Sequence, residues 1–204
     1  MAVISNATTI IDAGAISVAK GALTHIKTLT ASSSGTLTFH HGTSDVILDS
    51  TYKHYMFEFI NIHPSSNDSY FQFQANAVGE SGFNETITSS MFRAYIKEDS
   101  SANALAYENG DYDLDQETVF QVLNDSVGTD TDQSTCGRLM IFEPSSTVFV
   151  KHWAYQGVEN AKDNKVQKTH TTGYFNTTAA LDEFQFKMNT GNMDTGAIKL
   201  YGIS

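Results

Sequence analysis

The sequence predicts an all-β chain: an antiparallel β-sandwich of jelly-roll or lectin-like type, carrying a short N-terminal arm. Three observations carry that expectation. Apolar residues alternate with polar ones at period two in many short runs. The runs are separated by turn-forming clusters such as His63-Pro64-Ser65-Ser66-Asn67-Asp68 and Thr190-Gly191-Asn192. Only 17% of the 204 residues are charged, against roughly 25% in an ordinary soluble domain. The missing polarity comes from Ser, Thr and Asn, about a quarter of the chain, while aromatics reach 11%.

Taken in order, residues 1–22 read as an arm or docking segment with a short strand or turn. Gly14, Gly21 and the β-branched residues argue against a helix there. Residues 23–204 read as one sandwich. Strands are expected at 23–30 and 35–40. The run 53–62 places Tyr55, Phe57 and Phe59 on one face and Met56, Ile60 and Ile62 on the other. A strand apolar on both sides needs another layer or a subunit over each. In 70–76, Phe71, Phe73 and Ala75 alternate with Gln72, Gln74 and Asn76, the pattern of a half-exposed strand. Further strands are expected at 91–97, 118–123, 138–143, 147–156, 181–188 and 196–203. The acidic stretches 99–117 and 124–137 read as long loops, where interaction surfaces tend to sit.

Charge excludes some functions. With 12 Lys plus Arg against 23 Asp plus Glu, the formal net charge is −11. The basic residues are scattered, unlike a phosphate-tracking surface, so no nucleic-acid partner is expected. Cys136 is the lone cysteine, which rules out an internal disulfide framework and a Cys-only zinc site. The start lacks the charged and apolar regions of a signal peptide. No run of about 18 apolar residues marks a spanning helix, and no membrane insertion is expected.

Several groups invite a chemical reading. Asp111, Asp113 and Asp115 recur at every second position, and hard cations need several converging oxygens. These are the calcium candidates. The spacing fails a helical calcium loop begun at Asp111, because Gln116 and Val122 stand where Gly and Glu are needed. On an extended strand they share one face with Glu117, so the competing reading is a charged edge that resists pairing. Asp125, Asp130 and Asp132 form a second acidic loop. His40 and His41 are adjacent, which on a strand points them apart. Cys136 has no recognisable partner, and no nucleophile elbow occurs. Glu58 lies between Met56 and Ile60, where desolvation would raise a carboxylate's pKa, yet no second acid pairs with it in sequence. Trp153 and Tyr155 share one strand face and are the sugar-stacking candidates, the alternative being that Trp153 is core. No catalytic residue, cofactor or enzymatic activity is expected.

Two stretches carry a resemblance. One is Tyr52-x-x-Tyr55-x-Phe57-x-Phe59-x-Asn61-Ile62-x-Pro64, followed by Phe71-x-Phe73-Gln74. The other is the terminal Thr190-Gly191-Asn192-Met193-Asp194-Thr195-Gly196-Ala197-Ile198-Lys199-Leu200-Tyr201-Gly202-Ile203. Together they resemble small virion structural proteins of tailed bacteriophages of aquatic and marine type, which end in a G-x-I-x-L-Y-G-I strand. The resemblance covers most of residues 36–203. It implies a jelly-roll or lectin-like sandwich that forms homotrimers or higher rings with other virion proteins on the particle exterior. The tail or fibre apparatus is the expected station, with capsid decoration or a carbohydrate-binding adhesin for host-surface glycan as alternatives. Made in the cytoplasm of the bacterial host, it would use Tyr55, Phe57, Phe59, Ile198, Leu200 and Tyr201 in assembly.

Overall fold

Among the described residues every strand pairing is antiparallel and no helix occurs. The computed structural model describes residues 23–204 in full and, before them, the backbone of 3–5, 8–12 and 15–16. Within the arm expected over residues 1–22, β1 (Val3–Ser5), β2 (Thr8–Asp12) and β3 (Ala15–Ile16) pair in that order as a small separate sheet. The arm's remaining residues lie outside the described ones.

Thirteen further strands build the sandwich: β4 (Leu23–Thr30), β5 (Thr36–His40), β6 (His54–Pro64), β7 (Ser69–Ala77), β8 (Ile87–Lys97), β9 (Asn103–Glu108), β10 (Asp115–Glu117), β11 (Gln121–Val127), β12 (Thr135–Phe142), β13 (Lys151–Ala161), β14 (Lys165–Phe175), β15 (Leu181–Met188) and β16 (Met193–Ile203). The order β4-β16-β6-β12 lies in one layer and β5-β15-β7-β11 in the other. The links β4 to β5, β6 to β7, β11 to β12 and β15 to β16 each cross between layers, so both layers run through the same sequence of partners. That is jelly-roll connectivity. Two excursions, β8-β9-β10 and β13-β14, extend the first layer to β4-β16-β6-β12-β13-β14-β8-β9, an eight-stranded sheet facing a four-stranded one. A single pair, Val127 with Ala161, stitches the layers together at one corner.

Alternation decides what lies between the layers. Tyr55, Phe57 and Phe59 of β6, Ile198 and Leu200 of β16, and Leu139 and Ile141 of β12 point inward and are buried. They meet Phe71 and Phe73 of β7 and Phe184 and Phe186 of β15. Phe186 is the hub, its ring centroid lying 5.0–6.3 Å from those of Phe57, Phe59, Phe71, Phe39 and Phe73. Burying each such ring contributes on the order of 2–3 kcal/mol.

Several sequence expectations change. The strand over 70–76 is not half-exposed, because Gln74 and Asn76 on its polar side are buried. The stretch 99–117 is not one loop, because Asn103–Glu108 forms the edge strand of the large sheet. Asp111, Asp113 and Asp115 do not share a strand face: the backbone turns through 109–113, and β10 begins only at Asp115. In the second acidic loop, Asp125 lies on β11 and is buried rather than displayed at a loop tip. The strand β14 was not expected at all.

Candidate functional site

The large sheet has two faces, and the four-stranded layer covers only one. On the other, the register brings one side chain per strand into a continuous row: Thr28, Lys199, Glu58, Arg138, Gln156, His170, Phe92 and Tyr107. Neighbouring strands are about 4.8 Å apart, so the row runs for about 34 Å. His25, Tyr201, Met56, Met140, Ala154, Thr172 and Ser90 form the row beside it. His170 stacks on Phe92 at 4.9 Å with a 9° interplanar angle. The Tyr201 hydroxyl donates to Glu58 at 3.3 Å. Desolvation and the neighbouring Glu58 charge hold that phenol's pKa above its ordinary value.

Apolar exposure concentrates at the β9 end of this face. Of the thirteen large apolar side chains exposed among the described residues, six belong here: Phe92, Ile96, Leu105, Tyr107, Val158 and Val166. Leu105 is the most exposed, at 75%. Scattered exposed apolar residues need no explanation, but a contiguous group marks a contact surface. Charge also separates. Within its strands the face carries Arg138, Lys168 and Lys199 against one carboxylate, Glu58, with Glu98 just past the end of β8, although acids outnumber bases nearly two to one in the whole chain. None of the four strand residues joins any of the six ion pairs among the described residues. Two adjoining depressions, of about 330 and 230 Å³, share Arg138 and Gln156.

A second constellation lies inside. The Arg93 guanidinium pairs with Glu108 at 2.8 Å and with Asp125. The Gln167 amide donates to Asp125 Oδ1 and Glu159 Oε1, both at 2.5 Å. Burial, and secondarily the Asp125 charge, push the Glu159 carboxyl well above its ordinary range. Tyr155 donates to Asn124 in the same region, and burial raises its phenol as well. The Asp125 and Glu159 oxygens both lie 2.5 Å from the one Gln167 nitrogen, so they are at most about 5 Å apart, at or below the spacing of a retaining glycosidase pair. Here both acids are 2% exposed, so no saccharide reaches them in this conformation.

The sequence candidates distribute as follows. Trp153 and Tyr155 point inward at 2% and 3% exposure, with Trp153 edge-on to Phe73 at 5.1 Å. They are core, and the sugar-stacking expectation for them is corrected. Tyr55, Phe57, Phe59, Ile198 and Leu200 are likewise spent on the intramolecular core, leaving only Tyr201 of the expected assembly residues on an open surface. The calcium candidates do not converge: Asp113 accepts from the Tyr107 hydroxyl at 2.7 Å, and no group of three His, Cys, Asp or Glu side chains among the described residues is placed to hold a metal. Glu58 is half-buried on the open face, not desolvated in the core. Cys136 is half-buried beside Asn61, whose backbone N–H points to its Sγ at 3.2 Å. The apolar patch escaped sequence reasoning, although Ala104-Leu105-Ala106-Tyr107 alternates cleanly. No family model, no curated protein and no solved structure matches the chain.

Proposed function

We propose that the chain is a non-enzymatic structural subunit of a tailed-phage virion, carried on the particle exterior in the tail or fibre apparatus, where it associates with copies of itself and with other virion proteins. The observation that carries this reading is the open face of the eight-stranded sheet, with six exposed apolar side chains gathered at its β9 end. A contiguous apolar group at one end of an open sheet face fits a surface meant to be covered at that end. The resemblance of the Tyr52–Pro64 and Gly196–Ile203 stretches to virion proteins supports the phage assignment. The matching strands β6 and β16 lie side by side in the large sheet. The net charge of −11 suits a position away from packaged DNA.

Two measurements test the reading. Light scattering should give a multiple of the 22.3 kDa chain mass, returning to one chain in a Leu105→Asp/Tyr107→Asp variant. Gold labelling of intact particles should mark tails or fibres. Label on the head would assign a capsid-decorating station instead, and a monomer that labels no particle would overturn the proposal.

A further inference from the structure

We propose that the paired depressions around Arg138 and Gln156 bind an acidic polysaccharide through the carboxylate of a uronic-acid unit. The larger depression is bounded by Glu58, Ile60, Arg138, Gln156, Val158 and Lys168. Arg138 stands opposite Gln156 on β13, and Val158 of β13 stands opposite Lys168 of β14. Strand spacing and rise then put the Arg138 and Lys168 backbones about 12 Å apart, with Gln156 and Val158 between them. Two long cationic side chains spanning that gap enclose a pyranose ring.

Each lining residue has a separate job. The planar guanidinium of Arg138 matches a carboxylate in bidentate fashion, while Lys168 adds a point charge on the far side. The Gln156 amide offers both a donor and acceptors to ring hydroxyls, and Glu58 accepts from another. Ile60 and Val158 present apolar surface to the C–H face of the sugar. The smaller depression repeats the arrangement one step along the strands, with His170, Thr172 and Met140 added to the shared Arg138 and Gln156. Two adjoining pockets joined by one cation fit two consecutive units of a polymer better than an isolated small anion.

Charge selects an acidic ligand over a neutral one. Among the described residues, Arg93, Lys53, Lys97 and Lys162 are ion-paired; Arg138 and Lys168, like five lysines elsewhere, make no ion pair, and both are exposed where their side chains border one depression. Exposed cations left unpaired in so acidic a chain supply a local site of opposite sign. Their small number and the nearby Glu58 disfavour a nucleic-acid strand, which needs a longer cationic track. This inference goes beyond the assembly reading and does not require it, because the test uses the chain in whatever oligomeric state it adopts.

Calorimetric titration with galacturonate, glucuronate and mannuronate trisaccharides, against galactose trisaccharide, inorganic triphosphate and a ten-residue thymidine oligonucleotide, tests it. The expected result is saturable binding of at least one uronate trisaccharide. That binding should weaken tenfold or more in Arg138→Ala and in Lys168→Ala, with thermal unfolding unchanged, and galactose trisaccharide should give no comparable signal. The proposal is overturned if no uronate binds, if either variant binds as well as the parent, or if triphosphate or the oligonucleotide binds as tightly. A change of solution mass in Arg138→Glu would also overturn it, since that would make the site a contact between copies. Monomeric protein that binds uronate would sink the assembly reading and leave this one standing.

Discussion

Asp125 and Glu159 share one hydrogen-bond donor, the side-chain nitrogen of Gln167, which lies 2.5 Å from a carboxylate oxygen of each. Two carboxylates so close and so buried cannot both ionise cheaply. Arg93 pairs with Asp125, while burial and then the Asp125 charge raise the Glu159 carboxyl well above its ordinary range. The buried Thr169 and Thr171 hydroxyls lie on the inward side of β14 without a protein partner. The interior at this end of the sandwich is therefore polar, in contrast to the aromatic core around Phe186.

The first prediction concerns pH. In the unfolded chain Glu159 ionises near its ordinary 4.5, while in the folded chain desolvation and then the Asp125 charge raise its value well above that. Between the two values the unfolded chain holds fewer protons, so this group lowers stability as pH rises. Glu159→Gln removes that penalty. Its melting temperature relative to the parent should be higher at pH 8 than at pH 5. A difference that is constant with pH would mean that Glu159 is already ionised in the folded chain.

Arg93 is the counter-charge of the cluster, reaching Glu108, Asp125 and the Tyr112 ring at 5.7 Å. Arg93→Ala leaves the Asp125 carboxylate buried without its cation. We expect a loss of about 3–5 kcal/mol in urea unfolding. Adding Asp125→Asn to the same chain should recover part of that loss, because the uncompensated charge is gone. Additive losses would place the effect in packing instead.

The aromatic core gives a contrast pair. Phe186→Ala should cost about 3–5 kcal/mol, since five neighbouring rings lose a packing partner at once. Phe92→Ala, on the open face, should stay within about 0.5 kcal/mol. Denaturant titration of the two variants separates them, and equal losses would mean that the open face contributes to the fold of the single chain.

What could be read from the sequence follows the same division. Where inward side chains are apolar, period two is visible: Phe57 and Phe59, Phe71 and Phe73, Phe184 and Phe186, and Ile198 and Leu200 all reveal their strands. Strand β14 buries Gln167, Thr169 and Thr171 instead, so it shows no hydrophobic alternation and went unread. Asp125 was taken for a loop acid for the same reason, because burial of a carboxylate depends on partners 32 and 42 residues away. The candidate site was invisible for another reason: Glu58, Arg138, Gln156 and Lys168 sit on four strands, and only the register brings them together. Trp153 and Tyr155 share a strand face, as the sequence predicts, but alternation does not tell which face of a strand is covered.

The terminal strand supplies the last prediction. Gly202 permits a close approach, because a Cβ at this position would lie 2.2 Å from the Tyr52 ring. Tyr52 is buried and stands edge-on to Tyr55 at 5.8 Å. The Tyr55 hydroxyl in turn donates to the Asp49 carbonyl and accepts from its N–H, so the ring cannot retreat without disturbing the 49–55 turn. Gly202→Ala should therefore cost roughly 1–3 kcal/mol by overpacking. If the clash with Tyr52 is the cause, the methyl should cost much less in a Tyr52→Ala background, where the ring is gone. A double-mutant cycle by thermal unfolding measures that coupling. Strict additivity would mean that Gly202 is needed for its backbone conformation, and that the space beside Tyr52 plays no part.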